Sequence, residues 1–491
     1  MTTRLWIDVE DLFEYARANF RRPSGIQRVA FEVARELQQR LGDAGLVQFV
    51  RHSFARDEFL VVSWAEAVSI YERLLAPDNA KHESQESSTT FPKVSGGPVF
   101  MGMPGRQLAR RVAYRLPPDM RLQLIEAMMS QARAMRLWVK LLSALTHGIV
   151  GMPRKLWRRW IRRSEYERRT APVERFADLA RPGDIMLAMS AAWSHFGYAD
   201  LIERECKANG IRFALLVYDL IPVRRPEWCD ANFVRAFRSW IDSILPLCDE
   251  VFTISRAAKK DLEAYVKEQE ISLHGGIVTV PMGATLQPME RHRTRRLPPP
   301  GSYALIVSTI EARKNHLLLF RVWRRLLEEW PRERVPSLVF AGRVGWLVAD
   351  LMQQISNTAC LDGKLILIDN ASDSELASLY DGCLFTLLPS FYEGWGLPVT
   401  ESLGFGKPCI IANRTSLPEA GGKLVKLLDP DNLNDAYAVI RDTIEDRAGL
   451  ANWEARVRRE YVPVPWSATV DTLLAELEQL SPSRQPQDAS A

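Results

Sequence analysis

Two separate series of short apolar runs, each alternating with helix-like stretches, constrain this chain more than any other feature. In the first series Leu5–Val9 reads as a strand and Gly25–Gln39 as an amphipathic helix, with apolar runs at Val47–Val50 and Phe59–Val62. The alternation resumes at Ile185–Met189, Phe213–Asp219 and Val251–Ser255. A polar connector from Gln287 to Gly301, with Arg291, Arg293, Arg295, Arg296 and three consecutive prolines, then breaks the pattern. It restarts at Tyr303–Val307, Ser337–Phe340, Leu365–Ile368, Leu384–Leu388 and Pro408–Ile411. Strands separated by helices predict mostly parallel sheets covered on both faces, so the fold class is α/β with two doubly wound domains. Ligands of such sheets bind beyond the carboxyl ends of the strands. The expected boundaries are 1–285 for the first domain, 286–302 for the linker, 303–465 for the second domain and 466–480 for a last helix. The Pro-, Gln- and Ser-rich tail 481–491 is expected to be disordered.

A chain of 491 residues has room for two or three full cores, and 47% apolar with 25% charged residues is ordinary for a soluble protein. The start, Met1 to Asp8, lacks the apolar core of a signal peptide, so a cytoplasmic location is expected. Six scattered cysteines with no Cys-x-x-Cys pair argue against a zinc knot, a redox dithiol or a disulfide frame. The net charge of +4 hides an asymmetry: between Arg106 and Arg169 there are 16 Lys or Arg against 4 acids. That stretch, about 100–175, reads as a basic helical insertion in the first domain. Its uncharged run Leu141–Pro153 is shorter than the roughly 20 residues a bilayer span takes. Aromatic residues interleaved with arginine suit an interfacial helix on an anionic membrane surface, and equally a basic helix packed by its Leu and Trp face. No nucleic-acid motif accompanies the charge, so nucleic acid is not an expected partner.

The chemistry concentrates at strand ends of the second series. After Leu388 come Glu393, Gly394, Trp395, Gly396, Leu397 and Pro398, then Glu401. This is a tight loop and a helix start with a carboxylate on either side. Backbone N–H groups at a helix start attract phosphate, while carboxylates accept bonds from hydroxyls. A nucleotide sugar is a ligand of that kind. After Val307 the segment Ser308–Asn315 carries the adjacent cations Arg313 and Lys314, placed to neutralise a diphosphate or simply solvent-exposed. After Phe340 come Gly342 and Arg343, where glycine lets a ligand approach the backbone.

Taken together, Glu393 and Glu401 with seven residues between them, Thr309–Asn315, Gly342–Trp346 and Leu417–Gly422 resemble glycosyltransferase family 4, the retaining sugar transferases of the GT-B fold. More loosely, Ser24–Val29, Tyr218–Pro222 and Phe252–Ser255 resemble members that assemble bacterial polysaccharides. The resemblance implies that Lys314 binds the diphosphate, that Glu401 holds the ribose and that Glu393 lies nearest the transferred sugar. Gly394, Trp395 and Gly396 would present backbone N–H groups, and Leu397 and Thr309 would line the donor site. It places Gly25 at the cleft, where it permits close approach of acceptor or diphosphate, with Arg28 reaching the same anion; alternatively Ser24 or Gly25 only caps the helix.

Two departures stand out. Ser308-Thr309 occupies the place of a Gly-Arg pair, which leaves Arg313 to replace a phosphate-binding arginine. Tyr218 replaces a histidine before Asp219; Tyr218 could donate a hydrogen bond and Asp219 hold an acceptor hydroxyl, or both could be structural.

The resemblance implies transfer of a hexose, mannose or rhamnose favoured, from a nucleoside-diphosphate sugar, GDP-mannose favoured. The acceptor would be a glycan or polyprenyl-diphosphate-linked oligosaccharide in O-antigen, capsule or exopolysaccharide synthesis, met at the inner face of the cytoplasmic membrane. No cofactor and no metal are expected, since the single Asp-x-Asp, Asp429–Asp431, follows the donor motifs. A non-catalytic nucleotide-sugar or glycan-binding subunit is the rival reading. A sugar phosphorylase or nucleotide-sugar epimerase is a more distant one.

Overall fold

The computed structural model describes residues 3–17, 22–53, 57–75, 174–195, 197–284 and 296–480. The described residues all belong to one compact unit. The basic helical insertion falls, up to residue 173, outside the described residues, as do the tail 481–491 and most of the 286–302 connector.

The first sheet contains β1 (Leu5–Asp8), β2 (Val47–Ser53), β3 (Glu58–Val62), β4 (Ile185–Ala188), β5 (Arg212–Val217), β6 (Glu250–Thr253) and β7 (Ile277–Thr279). Their order is β3-β2-β1-β4-β5-β6-β7. The second contains β8 (Tyr303–Val307), β9 (Ser337–Ala341), β10 (Leu365–Ile368), β11 (Thr386–Leu388), β12 (Cys409–Ala412) and β13 (Lys426–Leu428), in the order β10-β9-β8-β11-β12-β13. Every pairing is parallel except β2 with β3. Both are therefore Rossmann-like sheets whose strand order reverses, at β1/β4 and at β8/β11. The apolar runs of the sequence all form strands. The edge strands β7 and β13 escaped the reading because each is three residues long and β13 exposes Lys426 and Leu427.

Continuous apolar strands arise because both faces are covered. Leu5 and Ile7 enter one core while Trp6 enters the other. Helix Gly25–Leu41 buries Val29, Val33, Ala34 and Leu37 on one stripe. It is capped at Ser24, whose backbone N–H donates to Gln27 Oε1 at 2.8 Å. The last helix, Trp466–Gln479, follows the second sheet in sequence but buries Trp466, Val470, Leu473 and Leu477 in the first sheet's core. Trp466 sits where any side chain on Gly283 would stand, 2.3 Å from an added Cβ. The two halves are thus stitched together at the end of the chain as well as at the connector.

Leu473 is completely buried in that borrowed core. Replacing Leu473 with Ala is expected to cost about 3 kcal/mol in urea unfolding. A loss below about 1 kcal/mol would show that the helix is a loose appendage.

Candidate functional site

Between β8 and β11 the second sheet reverses its order, and the loops leaving those two strands open a crevice there. Beyond Val307 the chain passes Ser308 and Thr309, makes a short turn at Ala312–Lys314 and enters helix His316–Glu329 through Asn315 in the left-handed region, φ 58°. Beyond Leu388 it runs to Gly396, φ 104°, and enters helix Leu397–Gly404 with Pro398 in the first turn. Gly396 has no alternative: the backbone is left-handed and an added Cβ would stand 2.6 Å from Leu417 Cδ2. Gly342 also requires glycine, but for a different reason than expected. An added Cβ would lie 2.0 Å from Ser308 O, so what approaches this backbone is the protein's own β8 loop.

At the centre, Glu393 is 7% exposed and bonded to both cations of the other loop. Lys314 Nζ donates to Glu393 Oε1 at 2.6 Å and Arg313 Nη1 to Oε2 at 2.8 Å. Arg313 also donates through Nη2 to Glu311 Oε1 at 2.7 Å and through Nη1 to Tyr392 O at 2.5 Å. Burial by itself would raise the Glu393 carboxyl; the fields of Arg313 and then Lys314 outweigh it and hold the group at about 2. Burial, reinforced by Arg313, pulls Lys314 below its ordinary value. Arg313 is raised: burial opposes its charge, and Glu393 and Glu311 overcome that opposition. The solvent-exposed alternative for this pair is therefore excluded. So is an Arg313 standing ready for phosphate, because two carboxylates and a carbonyl already engage it.

Toward the helix Leu397–Gly404, Tyr380 donates its hydroxyl proton to Glu401 Oε2 at 2.8 Å. Arg28 reaches across from the first half and donates to Asp373 Oδ1 at 2.7 Å. Burial works against the Arg28 charge, while Asp373 and then Glu401 raise it. In the ligand-free site Arg28 is thus engaged by Asp373 and lies in the field of Glu401. Gly25 follows the Ser24 cap, lines the cleft and packs against the same helix, an added Cβ lying 3.1 Å from Leu397 Cδ1.

In the first half, Tyr218 donates its proton to Met189 O at 2.8 Å and stands 3.3 Å from Ile26 O. Its hydroxyl proton is thus engaged by the backbone, as the structural alternative for this residue has it. Asp219 Oδ1 accepts from Ile221 N at 3.0 Å. Burial raises its carboxyl, with Arg313 opposing. Gly394 lies directly against this strand end: an added Cβ would meet Tyr218 O at 2.6 Å.

These groups share one cleft of about 600 Å³ between the two sheets. From the first half Gly25, Arg28, Tyr218 and Asp219 line it. From the second come Thr309, Arg313, Lys314, Gly342, Arg343, Glu393, Gly394, Trp395, Gly396, Leu397 and Glu401. Every candidate site residue named from the sequence is there, whereas the motif stretch Leu417–Gly422 is not among the lining residues. Tyr15, Arg22, Asn370 and Leu376 also line it and were missed, as were the supporting Tyr380 and Asp373. None of these carries a motif, and Tyr380 lies in a helix whose apolar pattern reads as core. Asp429 and Asp431 both pair with Arg414, at 2.8 and 3.2 Å. Among the described residues no group of His, Cys, Asp and Glu could hold a metal, and no helix is long and apolar enough to cross a membrane.

Residues 290–460 match the model of a family described as glycosyl transferases group 1. Over 314 residues the chain is 24% identical to the serotype-specific mannosyltransferase WbdA of Escherichia coli, covering 61% of this chain and 38% of that protein. Over 144 residues it is 34% identical to the O-antigen chain mannosyltransferase B of Escherichia coli, covering 29% of this chain and 37% of that one. The matched segments thus span well under half the length of both relatives. A solved structure, Anabaena Alr3699/HepE in complex with UDP and glucose, aligns with a TM-score of 0.45 and 14% identity over 60% of this chain and 78% of that one. At that score the fold rests on the strand orders, not on the likeness.

Removing the Glu393 charge leaves two buried cations uncompensated. Glu393→Gln is expected to cost about 3 kcal/mol of stability at pH 7. The carboxylate is depressed in the folded state, so its contribution is complete above the unfolded value near 4.3 and fades as pH falls toward about 2. Urea unfolding at pH 7 and pH 3 should therefore show the gap between wild type and variant narrowing at pH 3. A gap independent of pH would contradict the pairing.

Proposed function

We propose that this chain is a retaining, metal-independent glycosyltransferase of family 4. It transfers a hexose, mannose or rhamnose favoured, from a nucleoside-diphosphate sugar to a glycan or polyprenyl-diphosphate-linked oligosaccharide. The observation that carries the reading is the Glu393–Lys314–Arg313 cluster, set at the carboxyl ends of β8 and β11 on the cleft wall. The match of residues 290–460 to a glycosyltransferase family and the two mannosyltransferase relatives support the same reading. GDP-mannose is accordingly the favoured donor.

In the ligand-free site Lys314 and Arg313 are neutralised by Glu393 and Glu311, so a diphosphate can enter only by competing for them. Lys314 is paired with Glu393, whereas Arg313 is held by Glu393, Glu311 and Tyr392 O, so Lys314 is the freer of the two to turn to phosphate. Glu393, partly released, then accepts hydroxyl protons of the hexose, and Glu401 holds the ribose. As the bond between the anomeric carbon and the phosphate oxygen breaks, negative charge grows on the leaving diphosphate. Lys314, Arg313 and the N–H groups at the start of helix Leu397–Gly404 stabilise it. The acceptor oxygen bonds to the anomeric carbon on the face the phosphate leaves, and its proton passes to a phosphate oxygen. No protein nucleophile is required.

A panel of nucleoside-diphosphate sugars, assayed for nucleotide release with a chelator present, tests this directly. Wild type is expected to turn over one donor with the chelator present, and Lys314→Ala and Glu393→Ala to lower kcat/KM by well over threefold. A loss within about threefold, less than 1 kcal/mol of transition-state stabilisation, would remove both residues from catalysis. Nucleotide-sugar binding without turnover of any donor would leave the non-catalytic subunit as the better reading.

The acceptor reading requires a route to the membrane, for which the basic segment is our candidate. Deleting residues 137–163 is expected to release the protein from vesicles containing anionic lipid. Unchanged sedimentation with those vesicles would rule the segment out as the anchor.

A further inference from the structure

The loop that carries Glu393 belongs to the second half, yet part of its backbone is held by the first. Consider the carbonyls in order. Tyr392 O accepts from Arg313. Glu393 O and Trp395 O each lie 2.9 Å from Ser416 Oγ. Arg313 and Ser416 are both in the second half. Gly394 O, between them, accepts at 2.7 Å from Ser255 Oγ, at the end of β6 in the first half.

Ser255 is completely buried and its hydroxyl is fully used. It accepts from Ala258 N at 3.0 Å, capping helix Arg256–Glu268, and gives its single proton to Gly394 O. The same helix holds the loop a second time: Asp261 accepts the hydroxyl proton of Tyr392. The two residues flanking Glu393 are therefore both tied to this one helix and its cap. At Gly394 the contact is so close that a Cβ would strike Tyr218 O. Glu393 itself bonds only to the second half in the contacts above. Its position is nonetheless framed by two residues that the first half holds, Gly394 by its carbonyl and Tyr392 by its hydroxyl.

We propose that Ser255 is a positioning residue, through which the first half fixes the Glu393 loop and so couples the seating of the two sheets to the geometry of the charge cluster. The part of this that concerns turnover rests on the sugar-transfer reading. The hydroxyl acts through Gly394 O on the backbone of the next residue and does not touch substrate. A carboxylate displaced by a fraction of an ångström still binds a donor but aligns it poorly, so the effect belongs in kcat.

Amide hydrogen exchange and steady-state kinetics on Ser255→Ala and Ser255→Thr in the full chain test this. Ser255→Ala is expected to speed exchange across 389–397 and to lower kcat about tenfold, with donor KM within about twofold. Ser255→Thr keeps the hydroxyl and should restore both. Tyr392→Phe, which leaves the buried serine untouched, should loosen the same segment and serves if Ser255→Ala does not fold. Faster exchange confined to 256–268, with 389–397 unchanged, would mean that Ser255 only caps its helix and would overturn the proposal. Exchange needs no donor. Loosening of 389–397 in a protein that turns over no nucleotide sugar would sustain the tether and sink the transfer reading instead.

Discussion

The structure depends on one buried carboxylate set between two cations. Taking a charge out of water costs several kcal/mol, and Glu393, Lys314 and Arg313 are all largely withdrawn from it. None could be there without the others. Their mutual pairing lets the β8 loop and the β11 loop approach, brings the two strand ends to a common crevice, and concentrates charge on the cleft wall. Glu311 on one side and Asp219 on the other extend the cluster. The unliganded site is thus self-neutralised, and any anionic ligand must exchange with a carboxylate already in place.

The second constraint is the meeting of two sheets along a seam of unusually close contacts. Gly394 against Tyr218, Gly25 against Leu397, Arg28 with Asp373 and Ser255 with Gly394 all join the halves beside the cleft. Trp395 packs against a core of each half. The last helix closes the far side by placing Leu473 and Leu477 in the first sheet's core. A site whose floor belongs to one sheet and whose framing belongs to both responds to how the sheets are seated.

Much of this was legible in the sequence. Parallel strands covered on both faces are apolar along their length, so Leu5–Ile7 or Tyr303–Val307 could be read directly. The positions around Glu393 were legible because glycine, proline and charge at a strand-to-helix junction have few other uses. The partners of each charge were not. That Lys314 and Arg313 bond to Glu393, 79 and 80 positions away, is a property of the β8/β11 adjacency, which periodicity does not encode. The partner of Arg28 could not be read because Asp373 sits 345 positions away in an ordinary helix start. Tyr218 matched a motif position, but its hydroxyl was already committed to Met189 O. The one antiparallel pair, β2–β3, fits a mostly parallel expectation but could not be picked out, because two nearby apolar runs can pair either way.

The central claim is that Glu393 occupies the cations a diphosphate needs. Calorimetric titration of GDP into wild type and Glu393→Gln tests it most directly, because it separates ground-state binding from turnover. The account predicts that the variant binds GDP about tenfold more tightly, the charge of the nucleotide relieving two uncompensated cations. Equal or weaker binding by a folded variant would contradict it.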